Sequence, residues 1–302
     1  MALRIIQESD PITVTQLCVC IYAPPGIGKT SLGFSADKAA LIDFDKGAHR
    51  SRNRRSTLRV ECWEDVAEIN AEVLAPFSTV VVDTAGRALD MLTADIIERE
   101  PKMARAGVLG IQGFGKLKSE FIAWNHLLKR FGKDIVLLAH SDEQKNGDET
   151  KERLDVQGGS KNEIYKCSDL MGRLYVQDGK RFLNFNPCET SFGKNPTQLP
   201  VVEVPDFADD PNFLGGLIRS VKDAMNAQTE SQRVSAAHLE GWRARVLGSL
   251  TAEDFNTLKD ELADDPCSDA SREIIKRMMV DTAKEKGFAY DKSKKAFAKG
   301  AA

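Results

Sequence analysis

One run of eight residues does most to restrict what this chain can fold into. Ala23-Pro24-Pro25-Gly26-Ile27-Gly28-Lys29-Thr30 follows an apolar run over 17–22 and precedes a helical pattern. That context, strand then glycine loop then helix, is the one a phosphate-binding loop requires. The glycines let backbone N–H groups turn inward around phosphate oxygens, and the start of the helix adds further free N–H groups. On this reading Pro25, Gly26, Ile27, Gly28, Lys29, Thr30 and Ser31 line a nucleotide-phosphate site. Lys29 reaches the β- and γ-phosphates, and the Thr30 hydroxyl holds Mg²⁺. The first position of the loop, commonly glycine, is Ala23.

Around the loop, apolar β-branched runs alternate with helical patterns, the signature of a parallel α/β sheet. The pattern predicts strands over 17–22, 39–44, 58–62, 79–83 and 134–139, and helices over 63–74, 88–99 and 117–131. The strand runs are almost continuously apolar, as expected where both faces of a sheet are covered. A polar loop is expected over 141–159, with Ser160 and Glu163 as a capping box for a short helix. Segments 172–177 and 180–186 flank Asp178-Gly179 and read as a β-hairpin. An acidic, proline-containing stretch over 204–212 marks a boundary. The expected domains are therefore 1–205, the ATP-binding core, and 206–302, a helical domain with a basic, flexible tail. Its helices are expected at 213–226, 231–247, 252–263 and 270–286, the third capped by Thr251 with Asp254. Trp242, Val246, Leu247, Phe255 and Leu258 are its expected core.

Composition narrows the class. Of 302 residues, 42 are Lys or Arg and 45 Asp or Glu, a net charge of −3 that excludes a globally basic nucleic-acid coater but not a local basic surface. Hydrophobic residues make up 42%, which is globular rather than disordered. No apolar run is long enough to span a membrane, and the first residues lack an apolar signal core. The six cysteines form no CxxC pair, so a reduced, cytoplasmic setting is expected.

The acids decide which kind of nucleotide-binding protein this is. Asp83 ends the apolar run Thr79-Val80-Val81-Val82 and is placed to hold Mg²⁺ with Thr30. Asp83-Thr84-Ala85-Gly86-Arg87 resembles a switch segment of signal-recognition GTPases, but the chain has no NKxD or TKxD element to read guanine. Thr84 stands where many AAA+ ATPases carry a water-orienting Glu. A base must come from elsewhere, and Asp43 and Asp45 end the second expected strand on one face. The alternative is that either acid only caps a turn.

Several segments resemble RecA-type ATPases. Leu41-Ile42-Asp43-Phe44-Asp45 matches their second strand, with Asp45 at the catalytic Glu position, one CH₂ shorter. Ile135-Val136-Leu137-Leu138-Ala139-His140 resembles the strand that ends in the γ-phosphate sensor, here His140. Segments 100–115, with Lys102, Arg105 and Phe114, and 141–159, followed by Lys161, stand where the two DNA-binding loops would lie. Together with Leu109-Gly110-Ile111-Gln112-Gly113-Phe114-Gly115-Lys116-Leu117, these features are similar to phage RecA-like single-strand-annealing ATPases of the Sak type over roughly 15–205. The resemblance implies a RecA-like P-loop core of mostly parallel sheet flanked by helices. It also implies ATP and Mg²⁺, action on single-stranded DNA, and a ring or filament of identical subunits, with a single-strand-binding protein as a further partner. Lys29, Asp45 and His140 would be the catalytic set. The alternative is a nucleotide-dependent loader or regulatory ATPase that does not touch DNA.

Charge distribution bears on that choice. Lys46, Arg50, Arg52, Arg54, Arg55 and Arg59 crowd one stretch without an acid. They suit DNA phosphates, the nucleotide of a neighbouring subunit, or a solvated loop. Segment 141–159 is by contrast acidic, and the tail over 284–299 is lysine-rich.

Overall fold

A computed structural model describes residues 12–146, 149–157, 159–189, 191–291 and 293–299. β1 (Cys18–Ala23) leads into the glycine loop and α1 (Lys29–Phe34), then β2 (Ala39–Asp43), β3 (Thr57–Arg59), α2 (Trp63–Ala67), β4 (Thr79–Asp83) and α3 (Ala85–Arg99). A small hairpin, β5 (Ala104–Arg105) and β6 (Val108–Leu109), precedes α4 (Ile111–Arg130). β7 (Asp134–Asn146), β8 (Glu149–Leu154), α5 (Ser160–Cys167), β9 (Leu170–Gln177), β10 (Lys180–Asn184) and β11 (Val202–Val204) follow. The main sheet has the order β11-β10-β9-β1-β7-β4-β2-β3. From β9 to β3 neighbouring strands are parallel, while β10 and β11 run antiparallel. This is the expected α/β P-loop core of mostly parallel sheet flanked by helices, with the loop-bearing strand in the middle beside the strand that carries His140.

Successive residues of a strand face opposite sides, and here both sides are buried. Cys18, Cys20 and Tyr22 of β1, Val80 and Val82 of β4, and Ile135 and Leu137 of β7 share one core with Leu89, Leu92, Phe121 and Trp124 of α3 and α4. Val19, Ile21, Val81, Val136 and Leu138 share the other with Leu32 and Phe34 of α1. That double burial explains the unbroken apolar runs.

Several elements differ from expectation, each for a local reason. The helix expected over 63–74 stops at Ala67, because the Asn70 side chain accepts from Glu72 N and Val73 N and bends the chain into turns. The loop expected over 141–159 is instead a β-hairpin: β7 continues past His140 and returns as β8, in register from Ser141↔Leu154 to Asn146↔Glu149. Gly147 and Asp148, between them, lie outside the described residues. Ser160 does not cap α5; Gly159 holds that position, and Glu163 pairs with Lys118 and Lys166 at 3.1 Å. The hairpin around Asp178-Gly179 forms as expected, with both turn residues at positive φ (50° and 77°).

The two expected helices over 213–226 and 231–247 are one, α6 (Phe213–Gly248). Residues 226–231 contain neither Gly nor Pro, so nothing interrupts its backbone bonding. One compact unit runs from Val14 to Met225 and a second begins at Asn226, later than the expected 205/206. Leu214, Leu217, Ile218 and Val221, on the first turns of α6, are buried among the strand residues and hold that stretch in the sheet-bearing unit.

In the second unit α7 (Ala252–Asp264) carries the expected Thr251/Asp254 capping box, and α8 (Asp269–Glu285) follows. The tail, expected to be flexible, forms a hairpin of β12 (Phe288–Asp291) and β13 (Ala296–Lys299) over its described residues. Phe288 and Phe297 pack on Phe255, ring centroids 6.0 and 5.5 Å away, which gives the lysine-rich segment an apolar anchor. Trp242, Val246, Phe255 and Leu258 are buried as expected, whereas Leu247 is half exposed. No helix among the described residues is long and apolar enough to cross a membrane.

Candidate nucleotide site

The site is assembled at the carboxyl ends of β1, β7, β4 and β2, where parallel α/β sheets place their ligands. Register does the positioning. Ala23 lies beside His140, Asp83 beside Leu138, and Asp43 beside Asp83. Gly26 and Gly28 adopt φ of 81° and 103°, conformations that only glycine takes without strain. The first helical bond runs from Leu32 N to Gly28 O, so the N–H groups of Lys29, Thr30 and Ser31 have no partner within the helix.

Lys29 is buried. Its Nζ donates to Ala23 O and Pro24 O at 2.9 Å and lies 3.1 Å from His140 Nδ1. Burial pushes this ammonium down to about 8, although Asp83 and Asp45 pull it upward. Burial and the charge of Lys29 also lower the pKa of His140, which favours its neutral imidazole. Thr30 Oγ1 donates to Asp83 Oδ2 at 2.7 Å. Burial raises the Asp83 carboxyl to about 6, against the opposing bond from Thr30.

A hydroxyl and a carboxylate form a hard-oxygen pair. No group of three or more His, Cys, Asp or Glu among the described residues could hold a metal by itself. A cation here depends on phosphate oxygens and water for its other ligands, and that requirement fits Mg²⁺. Nucleotide affinity is expected to fall below about pH 6, as Asp83 takes up a proton, and again above about pH 8, as Lys29 loses one. Calorimetric titration of ATP with Mg²⁺ across that range checks both limbs, and a flat profile would contradict them.

Asp43 and Asp45 have different roles. Asp43 accepts from Gly47 N and Ala48 N at 2.9 and 3.1 Å and holds the turn after β2. Asp45 faces the site, because Phe44 N and Asp45 N both donate to Asp83 O. Its carboxylate is held between Arg50 Nη2 at 3.2 Å and Arg87 Nε at 3.4 Å. Arg50, expected on nucleic acid, is therefore a partner of Asp45. A cleft of about 110 Å³ lies beside this clamp, bordered by Thr84, Arg87, His140 and Asp155.

Three further residues at this site, Arg87, Asp155 and Arg181, lie outside the sequence-based expectations for it. Arg87 was visible as the last residue of the segment 83–87, three positions after the helix-capping Thr84. Asp155 donates its backbone N–H to His140 O only because the hairpin returns there. Arg181 on β10 overlies the loop so closely that a Cβ on Gly28 would sit 2.8 Å from its Nη1, and nothing local in the sequence signals this. Ser31, expected on phosphate, has its hydroxyl 2.7 Å from that of Ser51.

The other expected nucleic-acid residues are scattered. Arg55 is committed to Ala36 O, Pro211 O and the Asn212 side chain, which ties its loop to the core. Arg52 and Arg54 are exposed, and Arg54 borders a cleft of about 520 Å³ with Lys46, His49 and Arg59. Lys161 is half-buried on the first turn of α5. Lys102 lies in the turn before the β5–β6 hairpin, Arg105 on β5, and Phe114 in the first turn of α4 after it.

The model of the AAA domain family (AAA_24) matches residues 15–197. Among solved structures, a KaiC-like protein from the hyperthermophilic archaeon Pyrococcus horikoshii OT3 is similar at 13% identity and a TM-score of 0.34, over 64% of this chain and 91% of that one. No curated protein matches. The family match spans more than half of the chain and contains Lys29, Thr30, Asp83 and His140, so the chain belongs to the AAA domain family of P-loop NTPases.

Proposed function

We propose that this P-loop NTPase hydrolyses Mg·ATP and uses the cycle to act on single-stranded DNA, in annealing or strand exchange, as a ring or filament of identical subunits. In the hydrolytic step water attacks the γ-phosphorus, the bond to the β-bridging oxygen breaks, and ADP, inorganic phosphate and the water's proton leave. Lys29 neutralises charge on the β- and γ-oxygens, and Thr30 with Asp83 would hold a Mg²⁺, which would neutralise the remaining phosphate charge. Asp45, released from its arginines, orients the water, and His140 beside Lys29 reads the γ-phosphate.

The observation that carries the DNA reading is the β5–β6 hairpin. Val108 is 63% exposed, Ile111 93% and Phe114 37%. Arg105 stands directly opposite Val108, and Lys102 lies in the preceding turn. Large exposed apolar side chains in one place mark an interaction site. Cations beside them suit a strand that offers both bases and phosphates. Binding of a labelled oligo-dT strand, followed by anisotropy through a salt series with and without ATP, tests this. Affinity is expected to fall with salt at a log–log slope of about −0.7 per phosphate contacted. Phe114→Ala is expected to weaken binding by about tenfold, the effect of one lost stacking partner.

A second reading has its own support. Asp142, Glu143 and Asp155, on or beside the β7–β8 hairpin, are exposed and repel a nucleic-acid backbone. No oligonucleotide binding at low salt, with or without ATP, would favour an assembly or regulatory ATPase.

A further inference from the structure

We propose that the second unit carries a docking pocket for an acidic peptide segment with a bulky apolar side chain. This inference does not depend on the DNA reading. A cavity of about 620 Å³ lies among α7, α8 and the β12–β13 hairpin. Leu262, Met279 and Phe297 form its buried floor, and Val280 and Tyr290, 43% and 38% exposed, form its open side. Lys259, Arg272, Lys276 and Lys295 surround it, against one lining carboxylate, Asp260.

These cations are not equally available. Arg272 donates to Leu262 O, Ala263 O and Asp265 O and closes the end of α7. Lys259 donates to Lys295 O at 2.8 Å and lies 3.0 Å from the exposed Asp260. Lys276 pairs with Glu273 one turn earlier, both more than half exposed. Exposed pairs of this kind are weak and exchange readily for a better partner. The three lysines therefore form a rim that can be redirected around an apolar floor.

The chemistry of the floor selects the occupant. A nucleobase buried there would lay its ring nitrogens and exocyclic groups against carbon, with few hydrogen-bonding partners. A leucine or phenylalanine side chain has no such groups to satisfy. Acidic residues on either side of that anchor then meet the lysine rim, which supplies orientation and rate of encounter.

The probe is a fluorescein-labelled peptide of aspartates and glycines with a central Phe-Leu pair, titrated with the full chain and read by anisotropy. Binding is expected, with a loss of at least about tenfold when Phe-Leu becomes Ser-Ser. A similar loss is expected in the double variant Lys276→Glu, Lys295→Glu, whose ATP affinity and melting temperature should match the parent. Val280→Asp, which places a charge on the open side of the floor, should weaken the probe as well. The proposal is overturned if the labelled peptide does not bind, if the Ser-Ser peptide binds equally, or if the lysine variant is unaffected. It is also overturned if oligo-dT displaces the peptide and loses affinity in the same variants, since the pocket would then be a nucleic-acid site.

Discussion

Lys29→Ala is expected to lower ATP affinity by about 10- to 100-fold, the effect of losing a hydrogen bond to a charged group. Turnover should fall further, by about 10²–10³, because the ammonium acts most strongly where charge develops in the transition state. The environment of Lys29 explains why the effect should be large without unfolding the protein. Its contacts, Ala23 O, Pro24 O and His140 Nδ1, are all neutral. Burial has already pushed its pKa down to about 8, so the folded chain holds this charge at a cost that phosphate would offset. Alanine removes that cost along with the contact, and the melting temperature should hold or rise. Calorimetric titration with Mg·ATP beside a thermal melt reads both, and an unchanged ATP affinity would remove Lys29 from the site.

Asp83→Asn separates function from stability still more sharply. Asn keeps the shape and can still accept from Thr30, but it cannot hold a cation as a carboxylate does. Turnover should fall by about 100-fold or more, reflecting the several kcal/mol of charge stabilisation a metal supplies. Stability should move the other way. The Asp83 carboxyl is raised to about 6 in the folded chain, so its contribution is favourable while protonated and is lost as pH rises through that value. At neutral pH this amounts to a cost of at most about 3 kcal/mol. The Asn variant should therefore melt about 2–6 °C higher at neutral pH. Between about pH 4 and 6 its stability should depend less on pH than the parent's. A lower melting temperature for the variant would show that the carboxylate stabilises the fold, contrary to its burial.

The parts of the site that are legible along the chain are those set by short-range chemistry. Gly26, Gly28, Lys29 and Thr30 specify their loop by spacing alone, since few other sequences let a backbone wrap a phosphate. Asp83 is legible because it puts a carboxylate at the end of an apolar strand in a chain that also carries a phosphate loop, where a cation needs one. The β7–β8 hairpin was hidden by its polar composition, although Asn146-Gly147 is itself a hairpin signal. The terminal hairpin was hidden in the same way, its lysines outweighing Phe288 and Phe297, which pack on a residue more than thirty positions earlier.

The sequence by itself determined the α/β class and the phosphate loop, because these follow from residue type and periodicity along the chain, and it singled out Thr30 and Asp83, whose meeting across 53 residues rests on the placement of β4 in the sheet. Tertiary structure alone decided the rest of the site. It separated Asp43, which holds a turn, from Asp45, which is clamped by Arg50 and Arg87. It brought His140 to Lys29 across 111 residues and placed Arg181 over Gly28. Those relations depend on which strands lie side by side and in what register, and no local pattern of residues encodes that.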